Sequence, residues 1–270
     1  MTVIQAYDLT GNPTDKIELP NVFETPIRPD VVKRAVLTQQ THRLQPQGRD
    51  PMAGKRTSAE SLGTGLGIAR MARVKGSAHP RARQAAFIPS AVGGRRTHPP
   101  KAEKRIAQKL NTQERRLAIR SAIAATAHQS LVAARGHLID GVPSLPLVVS
   151  NDLQAIQTAK QAKDVFATLG LQPDVDRVKR SLKIRAGKGT MRGRRRRHGV
   201  GPLFVIDEDQ GITKAVRNFL GVDVVAVRDL NAEALAPGTT LGRLTVWSAA
   251  AFRQLDAVFI GSEGETPHEE

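Results

Sequence analysis

The 270-residue chain contains no cysteine, which removes a disulfide framework and any zinc site of the cysteine type. Aromatic residues make up only 3% of it. No run of about 18 apolar residues occurs, so no helical membrane span is expected. The opening MTVIQAYDLTG lacks the basic flank and apolar core of a signal peptide, and a cytoplasmic location is the expectation. Acidic residues are scarce where basic ones gather. Between residues 43 and 101 twelve basic side chains face only Asp50 and Glu60, a net of +10, and between 177 and 198 eleven face none. Those two stretches exceed the formal charge of +16 and leave −5 on the remainder.

A mildly acidic globule bearing two concentrated basic segments points to docking on a polyanion, since charge carried for solubility alone would be spread. The first segment, about residues 43–102, includes Arg43, Arg49, Lys55, Arg56, Arg70, Arg73, Lys75, Arg81, Arg83, Arg95 and Arg96. It is rich in glycine and proline and shows no sustained period of 3.6 or 2. A stretch of that length without regular structure is functional or disordered, and it reads as an extension ordered against RNA. The second, about residues 177–198, carries Arg185, Lys188, Arg192 and the run Arg194, Arg195, Arg196 and Arg197. Guanidinium suits bidentate contact with phosphate and stacking on bases. Phe87 is the only aromatic in the first segment and the second has none, which argues against successive stacking of a single strand on rings. Folded RNA is the favoured partner. Duplex DNA is second, because no groove-reading unit stands out.

Around these segments the chain alternates strand and helix signals. TVIQAYD and KIELP read as strands about a turn at Thr10-Gly11-Asn12-Pro13, and Pro29 opens a helix with Val32, Ala35 and Val36 on one face. Asn111 and Glu114 have the spacing of a capping box at the head of a helix that runs to Gly136. LPLVVS is a strand covered on both faces. Asn151 and Asp152 are expected to open a helix ending at Gly170. LFVID, VDVVAV and RLTVW are further strands; Ile212 to Leu220, NAEALAPG and SAAAFRQLDAVF are helices. The expected fold is α/β, a three-layer α/β/α body with a mostly parallel sheet. It forms a single domain over residues 1–260 into which both basic segments are inserted, with 261–270 an acidic flexible tail.

Candidate chemistry is thin. GRDPMAGK at 48–55 has the outer glycine and lysine of a P-loop, but five residues rather than four separate its glycines and Arg56 stands where a magnesium-binding hydroxyl belongs. Gly63, Gly65 and Gly67 are spaced G-x-G-x-G without a preceding strand. Asp207 and Asp209, directly after LFVI, have the placement of carboxylates that hold magnesium for phosphoryl transfer or RNA processing. A second acidic motif is missing downstream, and capping of the next helix accounts for them as well. The seven histidines show no ligand spacing, so no metal, cofactor or catalytic residue is expected.

The chain resembles the universal large-subunit ribosomal protein number four family, in its archaeal and eukaryotic branch. The likeness is carried, in order, by Ser61-Leu62-Gly63-Thr64-Gly65, Arg73-Val74-Lys75-Gly76, Gly93-Gly94-Arg95, Asn111 to Arg115, Gly136-His137, and Leu145 to Val149. It continues through Arg185-Ala186-Gly187-Lys188-Gly189 with Met191-Arg192, Arg217-Asn218, Leu235 to Gly238, and Val246-Trp247. The resemblance implies a non-enzymatic rRNA-binding protein, early in assembly of the large subunit, with its α/β body on the subunit exterior. It also implies a long loop that reaches the polypeptide exit tunnel. The tunnel-lining residues it implies are Ser61, Leu62, Gly63, Thr64, Gly65, Leu66, Gly67 and Arg70. Its implied partners are large-subunit rRNA, neighbouring ribosomal proteins and the nascent polypeptide. Leu62, where bacterial members carry a basic residue, makes this tip less charged than theirs.

Overall fold

The structure is a computed structural model that describes residues 2–260; the acidic tail expected at 261–270 lies outside the described residues. In chain order the elements are β1 (Val3–Tyr7), β2 (Pro13–Glu18), α1 (Pro29–Thr41), β3 (Ala59–Glu60), β4 (Arg73–Val74), α2 (Thr112–Ala127) and α3 (Gln129–Ala134). There follow β5 (Leu147–Val149), α4 (Ala159–Thr168), α5 (Gln172–Arg180), β6 (Lys183–Ile184), α6 (Lys188–Met191) and β7 (Arg196–Arg197). The last are β8 (Leu203–Ile206), α7 (Ile212–Val216), β9 (Asp223–Ala226), α8 (Ala232–Leu235), β10 (Thr245–Ser248) and α9 (Ala249–Phe259). The described residues divide into two compact units: a body of residues 2–40 and 109–260, and an excursion, Thr41–Gln108.

The body is built on a six-stranded sheet of order β2-β1-β5-β10-β8-β9. Every pairing is parallel except the β1–β2 hairpin at one edge. The central strands are short, with every residue buried, and β5 and β8 are wholly apolar, because both faces of a parallel sheet are covered by its crossover helices. Alternation then divides their side chains. Val148, Leu203, Val205 and Trp247 enter one core with α1, α2 and α9, whereas Leu147, Val149, Phe204, Ile206 and Val246 enter the other with α4, α5 and α7. The result is the three-layer α/β/α arrangement read from the sequence. Each side has its own aromatic cluster: Phe23, Trp247 and Phe252 on one, Phe166, Phe204 and Phe219 on the other. Eight of the nine aromatic residues lie in the body, and Phe87 alone lies in the excursion.

Several local expectations are corrected. Asn111 precedes α2, but its side chain makes no capping bond; Glu114 instead takes a hydrogen bond of 2.5 Å from Arg34 of α1. The helix expected to run to Gly136 is broken at His128, whose backbone is extended (ψ 105°) and whose carbonyl accepts from Leu131 and Val132 of α3. Residues 151–155 form a 3-10 turn rather than the start of α4. The Asn151 side chain caps α9 by accepting from Ala250 N at 2.8 Å, and α4 starts later under a capping box of Thr158 and Gln161. Helix α7 ends at Val216, short of Leu220.

Candidate nucleic-acid interface

None of residues 41–108 is buried. The excursion therefore has no apolar core, and backbone pairing gives it shape. At its base His42 Nε2 meets Gln108 O at 2.9 Å, Gln108 N donates to Thr41 Oγ1 at 3.1 Å, and Arg49 N donates to Pro100 O at 3.1 Å. Further out β3 and β4 pair antiparallel, Ala59 with Val74 and Glu60 with Arg73. Lys75 Nζ reaches Glu60 Oε2 across them at 2.5 Å. A third strand-like segment adds Val74 N to Gln84 O, Arg83 N to Val74 O and Ala86 N to Ala72 O. The expectation of irregular structure thus gives way to a short paired stem, because main-chain ladders need no hydrophobic period.

Two main-chain segments also cross at Gly54 and Gly94. A Cβ on Gly94 would stand 1.9 Å from Ile88 O, and one on Gly54 2.5 Å from Gly94 O, so neither position accepts a side chain.

The tip beyond β3 and β4 is closed by Ser61, whose Oγ donates to Arg70 O at 2.8 Å and accepts from Gly63 N at 3.3 Å. Gly63, Gly65 and Gly67 have φ of +78°, +93° and +61° with open space where a Cβ would lie. These glycines serve the left-handed backbone, not a close approach. Every residue from Ser61 to Arg70 is exposed, including Leu62, Leu66 and Ile68.

Of the eighteen basic residues singled out in the two segments, sixteen are exposed; Arg73 and Arg95 are half-buried. Arg56, Lys75 and Arg81 line one groove, and Arg49, Lys55, Arg95 and Arg96 line a smaller hollow. Arg43, Arg70 and Arg83 are exposed outside both. Some of these cations are already engaged. Arg56 pairs with Asp50, whose carboxyl is held below its ordinary value by that guanidinium and by Met52 N. Arg73 donates to Arg83 O at 2.8 Å, and Arg95 lies over the Phe87 ring, 5.5 Å from its centroid.

The second basic segment projects from the body as the antiparallel pair β6–β7, Lys183 opposite Arg197 and Ile184 opposite Arg196, with α6 between them. Arg185, Lys188, Arg192 and Arg194 to Arg197 are all exposed on it. Its first cations, Arg177, Lys179 and Arg180, belong instead to the last turn of α5, where they complement the helix dipole.

Arg177 has a structural task that composition did not reveal. Its Nε donates to Asp174 Oδ1 at 2.9 Å and its Nη2 to Val200 O at 2.7 Å, while Ser181 Oγ accepts from Gly199 N at 2.7 Å. Asp174 is fully buried and also accepts from His137 Nδ1 at 2.9 Å and Leu138 N at 3.1 Å. A carboxylate is acceptor-only, so Nδ1 carries the proton. Both ends of the basic hairpin are thereby tied to a buried charge in the body. The Asp174–Arg177 spacing of three was visible in the sequence; the His137 partner, far away in the chain, carried no local signal.

The carboxylates considered for phosphoryl transfer are otherwise occupied. Asp209 Oδ1 accepts from Gly211 N at 3.0 Å and Thr213 N at 3.3 Å, capping α7, and Asp207 Oδ2 accepts from Gln254 Nε2 at 2.7 Å. Among the described residues no group of three or more His, Cys, Asp or Glu side chains could hold a metal ion, and no helix is long and apolar enough to cross a membrane.

Residues 17–258 match the model of the ribosomal protein L4/L1 family. The large ribosomal subunit protein uL4 of Methanosphaera stadtmanae is 49% identical over 259 residues, covering 96% of this chain and 98% of that one. Its counterpart from Pyrobaculum aerophilum is 51% identical, covering 95% and 90%, and that from Methanopyrus kandleri 49%, covering 93% and 96%. With a family model spanning most of its length and relatives near half identity end to end, the chain belongs to the ribosomal protein L4/L1 family.

Proposed function

We propose that the excursion and the β6–β7 hairpin are the RNA-embedded parts of a structural component of the large ribosomal subunit, with the α/β body as their anchor. Membership of the ribosomal protein L4/L1 family makes the chain a ribosomal structural protein. The observation that carries the finer reading is the pairing of two properties in one unit. Residues 41–108 bury nothing, yet they display a strong excess of guanidinium and ammonium groups to solvent. A segment that cannot bury apolar surface gains its ordering energy from a partner, and this charge selects phosphate. The tip, Ser61 to Gly67 with Arg70, is the proposed tunnel-lining part. Its exposed Leu62, Leu66 and Ile68 suit contact with a passing polypeptide better than contact with phosphate. Large-subunit rRNA, neighbouring ribosomal proteins and the nascent chain are the partners, in the cytoplasmic ribosome, and no enzymatic step is assigned. A phosphate-rich interface also suits entry early in assembly.

Crosslinking with mass spectrometry on purified large subunits tests the reading. Adducts to RNA are expected on peptides from 43–101 and 183–197, and adducts to a stalled nascent chain on 61–70. RNA adducts confined to the α/β body would overturn it. Each Arg→Ala change at a phosphate contact should lower the log–log salt slope of rRNA binding by roughly 0.7–0.9.

A further inference from the structure

The groove inside the excursion has the make-up of a site for one nucleotide, which phosphate contact alone does not require. It encloses about 560 Å³, within the usual range for small-ligand sites of roughly 300–1,000 Å³. Its walls combine cations, the hydroxyls of Thr57 and Ser58, and Phe87.

Phe87 is the unit's one aromatic side chain, and its backbone has φ +69°, a left-handed conformation unusual for a bulky residue. Such an outlier persists where surrounding structure holds it and often marks a binding surface. Arg95 lies over the Phe87 ring and does not line the groove. Arg95 thus covers one side of the ring without being part of the groove that Phe87 lines.

The cations of the groove differ in availability. Arg56 is paired with Asp50 and Lys75 with Glu60. The Arg81 guanidinium makes no hydrogen bond to any described residue, and its Nη2 would lie 3.8 Å from a Cβ at Gly93, another lining residue. His79 Nδ1 accepts from Arg81 N at 3.1 Å, so in the neutral ring the N–H is on Nε2, a donor for a base edge or a phosphate oxygen.

We propose that this groove receives a single unpaired nucleotide of the large-subunit rRNA, its base against Phe87 and its phosphate on Arg81, with Thr57, Ser58 and His79 available to the base edge or ribose. The proposal rests on the rRNA-binding reading and narrows it. Specific RNA recognition commonly draws out an unstacked base onto an aromatic or guanidinium plane, and one ring beside one uncommitted cation suffices for one nucleotide. It does not suffice for a strand read base after base.

The test uses the full chain with large-subunit rRNA and, in parallel, ultraviolet crosslinking of purified large subunits. Phe87→Leu keeps apolar volume and removes the stacking plane. It should weaken rRNA binding roughly 5- to 100-fold with the salt slope unchanged, while Phe87→Tyr stays within about twofold because it keeps the ring. Arg81→Ala should instead lower the salt slope by roughly 0.7–0.9. The crosslinked peptide containing Phe87 should carry one defined nucleotide. If Phe87→Leu binds as the wild type and that peptide carries none, while binding stays salt-dependent, the groove proposal falls and the rRNA reading stands. A peptide of another protein crosslinked in the groove also overturns it. Salt-insensitive binding without RNA adducts on either basic segment sinks the rRNA reading and this proposal together.

Discussion

The His137 imidazole and the Asp174 carboxylate lie 2.9 Å apart with both side chains sealed from solvent, and Arg177 extends from this pair to the far end of the basic hairpin at Val200. The basic hairpin is thus moored to one internal charge. Removing that charge strands two partners and a backbone N–H in a buried setting. Asp174→Ala should cost about 3–5 kcal/mol of body stability, measured by urea unfolding. Asp174→Asn, which keeps acceptor capacity on one oxygen, should cost less.

The same pair sets a pH dependence. Burial pushes His137 below its ordinary 6.5, outweighing the pull of Asp174. Burial also opposes ionisation of Asp174, but the hydrogen bonds from His137 and Arg177 prevail and its carboxyl lies below 3.8. Both folded-state values are depressed, so the unfolded chain binds more protons in acid. Their contribution is complete above pH 6.5 and declines as pH falls, first through His137 and then, below 3.8, through Asp174. The melting temperature should drop between about pH 7 and about pH 5, and His137→Gln should flatten that interval.

Arg243 is 1% exposed at its side chain, whereas its ion-pair partner Asp223 is 60% exposed. The guanidinium donates to Gly201 O at 2.9 Å, Ala234 O at 2.8 Å and Gly221 O at 3.2 Å besides the carboxylate. The carbonyls, not the exposed acid, are the partners that have no substitute. Arg243→Met should destabilise by roughly 2–5 kcal/mol because buried acceptors lose their donor. Asp223→Asn should change stability by about 1 kcal/mol or less. Chemical denaturation of the two variants separates these terms.

Trp247 fills the core beneath α9, yet its buried indole N–H meets no hydrogen-bond partner among the described residues. Trp247→Phe exchanges lost volume for relief of that orphan donor and should cost only about 1 kcal/mol. Trp247→Ala has no such relief and should cost about 3–5 kcal/mol. Near-equal losses by calorimetry would contradict this account of the core.

Because no residue of 41–108 is buried, the tip can go without loss to the body. Deleting Leu62 to Arg70 and joining Ser61 to Met71 should shift body unfolding by about 0.5 kcal/mol or less. A thermal melt of the variant beside a core mutant gives the comparison.

The body was legible where local sequence is enough. LFVI and LVV are continuous apolar runs of strand length, and both are central strands with every residue buried. The errors fall where a distant group took over. Glu114 was drawn off by Arg34, and Asn151 was recruited to α9 almost a hundred residues on. The break at His128 has no marker, since neither Gly nor Pro stands there. In the basic segments charge and composition identified the exposed side chains. They did not separate Arg177, which is structural, from Arg192, which is open to solvent. That distinction depends on Asp174 and on the return of the chain at Val200.

The crossing at Gly54 and Gly94 has a bearing on how this protein can change over generations. Where form resides in main-chain contact at a few points, most other positions in the excursion are free to be rewritten. Exposed positions with no contact of their own can change while the path of the chain stays put. Variation should accordingly be nearly forbidden at those two glycines.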